Sequence, residues 1–547
     1  MYQFTLKKVT SLEKVFPDRE PTGEGMEDCL TAMRGENVSF QIAYRWMERM
    51  KKSAKAEVIS PVKSYLTLRK VELVPCEYPA HLKHDEDYIT TVPGLYPDLL
   101  TAPGPWGFGL VSGQWRSIWV DIDVPKDAKA GRYPVEIRLT CEGSELGSAS
   151  IVLEIMDAVM PKLHVPHTEW FHSDCLAQYY QVDVFSEEYW NIVENFIALA
   201  AKRHCNMILT PVFTPPLDTG IGGERLTVQL VDVEVTDGSY QFGYDKFERW
   251  VEMCRRNEIE YFEISHLFSQ WGAVSAPKIM GTENGEYHKL FGWETKASGE
   301  AYAEFLHEFL ASFKEELRKL GIEKTTYFHI SDEPSKDQFE TYQVAKAVVE
   351  KDLEGLEVID ALSDYTFFEK GAVKQPVCAL DHMEPFIENR PEKLWGYYCT
   401  AQCKDVSNRF IAMSGQRERI LGAMMYKFKL DGFLHWGYNF YNSEYSLYPI
   451  DPYRCTDSSG AFPSGDPFLV YPGKDGHPEE SIRMMLMDEA MADLCAMKYL
   501  EEKHGRDAVM ECLETNEEEK IGFSEYPRSI SYLINMRRRV NERIKDL

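Results

Sequence analysis

The sequence predicts an α/β chain: a (β/α)8 TIM barrel preceded by an antiparallel β-sandwich and followed by C-terminal helices. Three observations predict it. Short runs of alternating polarity, separated by Gly, Pro and Asp turns, fill residues 1–162. Over residues 163–477, strand-like runs alternate with amphipathic helices, the rhythm of βα units around a parallel sheet. Residues 478–547 carry apolar positions at helical spacing.

Within the first segment, "SIWVDIDVP", "GRYPVEIRLT" and "SASIVLEIMD" are the clearest alternating strands. The second segment opens with "HTEWFHSD" before the helix "SEEYWNIVENFIALAAKRH". "NMILTPVF" leads through a long insertion to the helix "YDKFERWVEMCRRNE". "YFEISHLF" precedes a Gly-rich loop and "GEAYAEFLHEFLASFKEELRKLG", and "TTYFHISDEP" precedes "QFETYQVAKAVVEKD". "LEVIDALSD", "PVCALDHM" and "KLWGYYCTA" follow, then the helix "GQRERILGAMMYKFKLD" and the last strand "GFLHWGYNFY". Eight βα units in this span suit a TIM barrel, which typically takes about 250 residues. An open doubly wound sheet is the alternative, but no glycine fingerprint follows the first strand and no Walker sequence occurs.

Acidic residues outnumber basic ones 88 to 60, a formal net charge of -28, which disfavours nucleic acid and anionic membrane as partners. The dense basic run Arg537–Arg539 lies in "YLINMRRRVNERIKDL", where Leu533, Met536, Val540 and Ile544 recur at helical spacing. It reads as a docked helix with a solvated basic face. No run is apolar enough to span a membrane, and the N-terminal residues lack a secretory h-region. The twelve cysteines are scattered, several inside apolar runs, so reduced thiols and a cytoplasmic location are expected. Cys399 and Cys403 form a lone CxxxC, and "HLKHDEDY" (His81 to Tyr88) reads as a solvated loop, so no metal and no cofactor are expected. Oligomeric state is not legible.

A TIM barrel builds its site at the C-terminal ends of its strands. Those positions hold Trp170, His172 and Asp174 after the first strand, and His266, Gln270 and Trp271 after the third. The fourth ends in Asp332 and Glu333, the fifth in Asp364, the sixth in Asp381 and His382. The seventh carries Tyr397 and Tyr398, and the eighth His435, Trp436, Asn439 and Tyr441. Carboxylates, amides, histidines and aromatic rings converge, while lysine is nearly absent. Aromatic faces stack on sugar rings and carboxylates bind hydroxyl groups, so a small saccharide is the expected ligand.

Asp332 and Glu333 are adjacent, and Pro334 restricts Glu333 toward an extended conformation, so both carboxylates can reach one pocket from different angles. Two acids this close have unequal proton affinities, the asymmetry glycoside hydrolysis uses. The competing explanation, an acidic cap on the following helix, accounts for one acid but not for the aromatic company.

"SHLFSQWGAVSAPKI", "ISDEP" and "GFLHWGYNFY", with a sandwich ahead of the barrel, resemble the domain of unknown function 4091 family. That family is similar to glycoside hydrolase family 123, the β-N-acetylgalactosaminidases. The resemblance implies Glu333 as general acid/base and Asp332 as the partner of the substrate's own 2-acetamido group, whose oxygen attacks the anomeric carbon. By strand position it also implies Tyr398 as a donor to the acetamido oxygen and Trp436 as the floor of the sugar site. His172, Asp174, His266, Trp271, Asp364 and Asn439 complete the expected substrate-binding set. Two other readings fit the residues: an ordinary two-carboxylate glycosidase, with Asp174, Asp364 or Asp381 opposite Glu333, and a non-catalytic carbohydrate-binding barrel.

The cysteine pattern yields a direct expectation. Thiol titration of native and unfolded protein should find essentially all twelve cysteines reduced; two or more stable disulfides in fresh material would contradict it.

Overall fold

The computed structural model of the chain describes residues 3–546. The N-terminal segment forms two five-stranded sheets. One runs in the order Phe4–Thr10, Asn37–Trp46, Trp115–Asp123, Leu66–Cys76 and Gly94–Thr101. The other runs Cys29–Arg34, Ser144–Val159, Gly131–Cys141, Lys52–Ile59 and Phe108–Leu110. Neighbours are antiparallel except Cys29–Arg34, which lies parallel to Ser144–Val159. Alternation places the core: Val135, Ile137, Leu139 and Cys141 are buried while the residues between them are not. They pack with Ile42, Ile118 and Ile122 of the other sheet.

Nine parallel strands form the next sheet. They are β1 (His167–Glu169), β2 (Met207–Thr210), β3 (Tyr261–Ile264), β4 (Thr326–Phe328), β5 (Glu357–Val358), β6 (Asp360–Leu362), β7 (Pro376–Ala379), β8 (Trp395–Tyr397) and β9 (Gly432–His435). Their spatial order is β5-β4-β3-β2-β1-β9-β8-β7-β6. The two edges are therefore successive in the chain, separated by Ile359, whose N–H donates to Phe328 O at 2.9 Å. The sheet curls into a nearly closed barrel.

The single run "LEVIDALSD" is thus divided at Ile359. Beyond that point the Asp360 carboxylate accepts from Ile330 N in place of a backbone carbonyl, so the ladder to β4 stops. On the other side Asp360 sits opposite Pro376, which has no N–H to donate. Along the strands, Met207, Leu209, Tyr327, Val377, Ala379, Trp395, Tyr397 and Leu434 fill the barrel interior. Ile208, Phe328, Cys378 and Phe433 point outward to the helical layer.

The insertion after β2 and the loop after β3 carry two hairpins, Asp232–Thr236 with Ser239–Gly243 and Ile279–Glu283 with Glu286–Phe291. They join through Glu234↔Thr282 into one four-stranded sheet. The C-terminal part supplies a long helix, Ile482–His504, buried along most of its length against the helices that precede β9. The last helix, Ile530–Lys545, buries Leu533, Met536, Val540 and Ile544, the spacing read from sequence. Its basic face is not wholly solvated, because Arg537 is buried and paired with Glu36 (2.6 Å) and Asp493 (2.9 Å). The segment from His81 to Tyr88 is likewise more than a solvated loop. His81 Nε2 lies 2.9 Å from Thr400 O, Asp85 pairs with the buried Arg417 at 2.8 Å, and Tyr88 Oη donates to Cys403 O at 2.7 Å. This segment fastens the sandwich to the rim of the barrel.

All twelve cysteines are free. Among the described residues, no cluster of His, Cys, Asp or Glu is placed to hold a metal ion, and no helix is long and apolar enough to cross a membrane.

Gly432 opens β9 directly against the Trp395 ring, and a Cβ there would lie 2.2 Å from it. Gly432→Ala should therefore force Trp395 out of its place in the barrel interior, at about 1–3 kcal/mol for overpacking. Urea unfolding should show a lowered midpoint; an unchanged midpoint would refute the close approach.

Candidate active site

At the C-terminal mouth of the barrel, one cleft is lined by Trp170, Asp218, Gln270, Trp271, Asp332, Glu333, Tyr397, Cys399, Thr400, Trp436 and Phe462. Asp332 and Glu333 do not end β4, whose ladder stops at Phe328. The chain continues upward between its neighbours: Leu267 N and Phe268 N donate to His329 O and Ile330 O, each at 3.2 Å, and Trp271 N donates to Asp332 O at 3.1 Å. On the opposite side Glu333 N donates to Ala361 O at 3.1 Å. Glu333 is also not extended. Its φ is +41°, in the left-handed region that a side chain and a following proline both disfavour. The bonds from both neighbours hold it there, and the turn directs the two carboxylates into one space.

Each carboxylate has its own donor. Gln270 Nε2 donates to Asp332 Oδ2 at 2.8 Å, and Tyr397 Oη donates to Glu333 Oε1. Cys399 Sγ lies 3.9 Å from the same Glu333 oxygen. Burial pushes the Asp332 carboxyl up to about 8, and the charge of Glu333 adds to the effect. Burial raises Glu333 as well, opposed by the Tyr397 hydrogen bond. Near neutral pH the two groups together hold a proton, and that proton belongs to the pair.

The walls are aromatic. Trp436 donates from Nε1 to Asp466 Oδ2 at 2.9 Å and packs on Phe440 and Phe462 at 5.1 and 5.0 Å between ring centroids. Trp271, the most exposed of the cleft's rings at 37%, meets Tyr445 edge-on at 6.0 Å. A large ring left uncovered beside the buried Asp332 and the half-buried Glu333 is suited to stacking on a sugar.

Several residues expected in the site lie elsewhere. Tyr398 is fully buried outside the barrel interior, against Phe433 and His435, while its neighbour Tyr397 points inward to Glu333. Alternation along β8 explains the exchange, since Trp395 and Tyr397 share the inner face. His172 is buried, with Nε2 2.8 Å from Trp436 O and its backbone N–H on Asn439 Oδ1 at 2.8 Å. Asn439 returns a bond to His172 O at 3.1 Å. Burial, reinforced by Arg225, pushes the His172 imidazole down to about 3, so it is neutral. Asp174 is held by two 2.8 Å bonds from Arg225. These three residues brace the loops after β1 and β9 and do not line the cleft. His266 lies behind Trp170, stacked at 4.3 Å on His329, with no hydrogen-bond partner on either ring nitrogen among the described residues. Asp364 caps the turn at Thr366 N (2.8 Å) and borders a separate shallow groove with Asp381 and His382.

Sequence reading passed over Asp218, Cys399, Thr400 and Phe462. Asp218 sits inside the long insertion, away from any strand end, and burial pushes its carboxyl up to about 6. Phe462 follows the last strand by a long loop. No spacing rule reaches either.

A family model described as "Glycoside hydrolase 123, catalytic domain" matches residues 170–500. No curated protein matches the chain. Among solved structures, a family 123 glycoside hydrolase from Clostridium perfringens, studied for glycolipid glycan hydrolysis, superposes with a TM-score of 0.73. The match covers 100% of this chain and 98% of that one at 14% identity, so the two share a fold. A Bacteroides ovatus GH5 xyloglucanase in complex with a XXXG heptasaccharide covers 89% of this chain and 100% of its own. Its TM-score of 0.29 and 9% identity are too low to bear on the site.

The left-handed turn at Glu333 has a measurable consequence. Non-glycine residues in such conformations cost of order 1–3 kcal/mol. Glu333→Gly should therefore be more stable than Glu333→Ala by about 1 kcal/mol in urea unfolding, the reverse of the usual order. Equal stabilities, or the usual order, would place Glu333 in ordinary backbone geometry.

Proposed function

The chain belongs to the glycoside hydrolase 123 family, and from that membership we propose that it is a β-N-acetylhexosaminidase of the N-acetylgalactosamine type. It is an enzyme acting on glycosidic bonds; the sugar, the mechanism and the substrate's size are the proposal. The mouth of a (β/α)8 barrel, with residues 357–362 counted as one strand divided at Ile359, holds the terminal sugar of a short saccharide. Glu333 in its protonated form gives its proton to the leaving oxygen as the glycosidic bond breaks. The substrate's 2-acetamido oxygen attacks the anomeric carbon from the opposite face, closing an oxazolinium ring. In the productive form the proton shared by the pair lies on Glu333, which leaves Asp332 ionised to accept from the acetamido N–H and to stabilise the charge that develops there. Glu333, now a carboxylate, takes a proton from the incoming water, which opens the ring with net retention.

One observation carries the substrate-assisted reading. Asp174, Asp364 and Asp381, the carboxylates that might stand opposite Glu333, are engaged elsewhere. Asp174 is bound by Arg225, Asp364 by its own turn, and Asp381 by His382 at 2.7 Å and Gln402 at 3.0 Å. With none of these three free to act as a nucleophile, the substrate's own 2-acetamido oxygen takes that role in this reading. The second reading, an ordinary two-carboxylate glycosidase, is favoured by Asp218, which lines the cleft and has a raised proton affinity. The cytoplasm is the proposed location, supported by nine buried thiols that a reducing compartment would keep free.

A series of aryl glycosides with and without the 2-acetamido group tests the mechanism. Glu333→Gln should lose about 10²–10⁴-fold on poor leaving groups and much less on good ones, which need little protonation. Asp332→Asn should be damaging whatever the leaving group, because ring closure precedes departure in every case. A thiazoline mimic of the cyclised intermediate should bind more tightly than the free sugar. Equal cleavage of 2-hydroxy sugars, with activity abolished in Asp218→Asn, would replace this mechanism by the two-carboxylate one.

A further inference from the structure

Behind the catalytic pair lies a fully buried histidine that the mechanism above does not use. His329 is 0% exposed and precedes Asp332 by three residues of the rising chain. Its Nε2 is 2.6 Å from Glu263 Oε1 on β3, and its Nδ1 is 3.5 Å from Asp360 Oδ1 on β6. Its ring stacks on His266 at 4.3 Å and meets Trp170, a wall of the cleft, edge-on at 6.1 Å.

Both flanking carboxylates are supplied with donors. Glu263 accepts from Thr168 Oγ1 at 2.5 Å and from Trp170 Nε1 at 2.7 Å. Asp360 accepts from Ile330 N at 2.9 Å, Ser331 N at 3.3 Å and Tyr342 Oη. Neither has a lysine or arginine among these partners. A buried imidazole flanked by two such carboxylates is favoured as the cation. Its Nε2 is hydrogen-bonded to Glu263, and its Nδ1 faces Asp360 at ion-pair distance without a hydrogen bond. The affinity rises to about 9 against the opposing effect of burial. His266, against the same ring, is pushed far down by burial and by the charge of His329, so it faces the cluster uncharged.

We propose that the His329 imidazolium, clamped between Glu263 and Asp360, is a positioning residue that fixes backbone 329–331 and supplies the positive charge that keeps Asp332 able to ionise. The geometry gives it both roles. Through Asp360 it orders Ile330 N and Ser331 N, the two amides immediately before the pair. Its charge acts on Asp332, in the direction of ionisation, against Glu333 and Asp360, which act the other way. The influences on Glu333 are burial, Tyr397 and Asp381, so the charge of His329 bears on Asp332 and not on its neighbour. This inference rests on Asp332 and Glu333 being the hydrolytic pair, but not on the 2-acetamido step.

Two measurements test it. In histidine-labelled protein at pH 8, where an ordinary imidazole with an affinity near 6.5 is neutral, nitrogen NMR should show a doubly protonated ring that is absent from His329→Gln. The second is the pH profile of kcat/KM on whichever aryl glycoside the wild type cleaves. Removing the buried cation makes Asp332 harder to ionise, so the acid limb should move to higher pH in His329→Gln. On that limb, activity should fall about tenfold for each unit of displacement. A merely structural histidine would lower activity without moving the limb, and that result would overturn the proposal. If the variant does not fold, the native spectrum decides: no imidazolium at pH 8 means no buried cation. A wild type inactive on every glycoside would instead defeat the assignment of the pair, while the NMR signal would still report on His329.

Discussion

Two adjacent carboxyl groups held in one cleft, largely away from water, are the constraint to which the rest of the site conforms. An isolated ionised carboxylate is costly to bury, and two in contact are worse, so the pair retains a proton and each member needs a donor. Gln270 and Tyr397 supply those donors from β3 and β8 sides of the mouth. The backbone cost is accepted in the same place, since only the left-handed turn at Glu333 lets consecutive residues address one cavity. Bonds to Ala361 O and from Trp271 N brace that turn on both flanks.

Around this centre the polar groups divide into those that face the cleft and those that build it. His172, Asp174, Asn439 and Arg225 form a buried knot joining the loops after β1 and β9. Such residues have the chemistry of ligands, yet their hydrogen-bonding capacity is consumed by one another. What they deliver is the placement of Trp436, whose carbonyl His172 holds at 2.8 Å.

The sandwich is part of the same structure. Arg69 and Asp121 of the sandwich meet Arg203, Glu480 and Asp488 in one buried ionic cluster, with Arg203 2.6 Å from Glu480 and 2.9 Å from Asp488. The two cations hold the Glu480 carboxyl down to about 2 despite its burial. Breaking such a cluster by removing one partner is costlier than never having built it, because a charge is left buried and alone. The His81 to Tyr88 segment adds a second attachment near Thr400 and Cys403 at the mouth. The sandwich therefore contributes to the rim of the cleft as well as to its support.

The sequence by itself determined the order of elements, the change from alternating to helical periodicity, the helices' buried faces and the position of Asp332 and Glu333. These are legible because each depends on neighbours within a few residues. Tertiary structure alone decided the rest. It divided the run at residues 357–362, because Asp360 lent its carboxylate to Ile330 and faced a proline. It chose Tyr397 over Tyr398, because register against the next strand sets which of two adjacent tyrosines faces inward. It brought in Asp218 and Phe462 from long loops with no periodic signal, and it removed His172, Asp174 and Asn439 by satisfying them internally. Residue type marks a side chain that can bind a ligand; whether it is free to do so depends on partners distant in sequence, and those become visible only once the chain has folded.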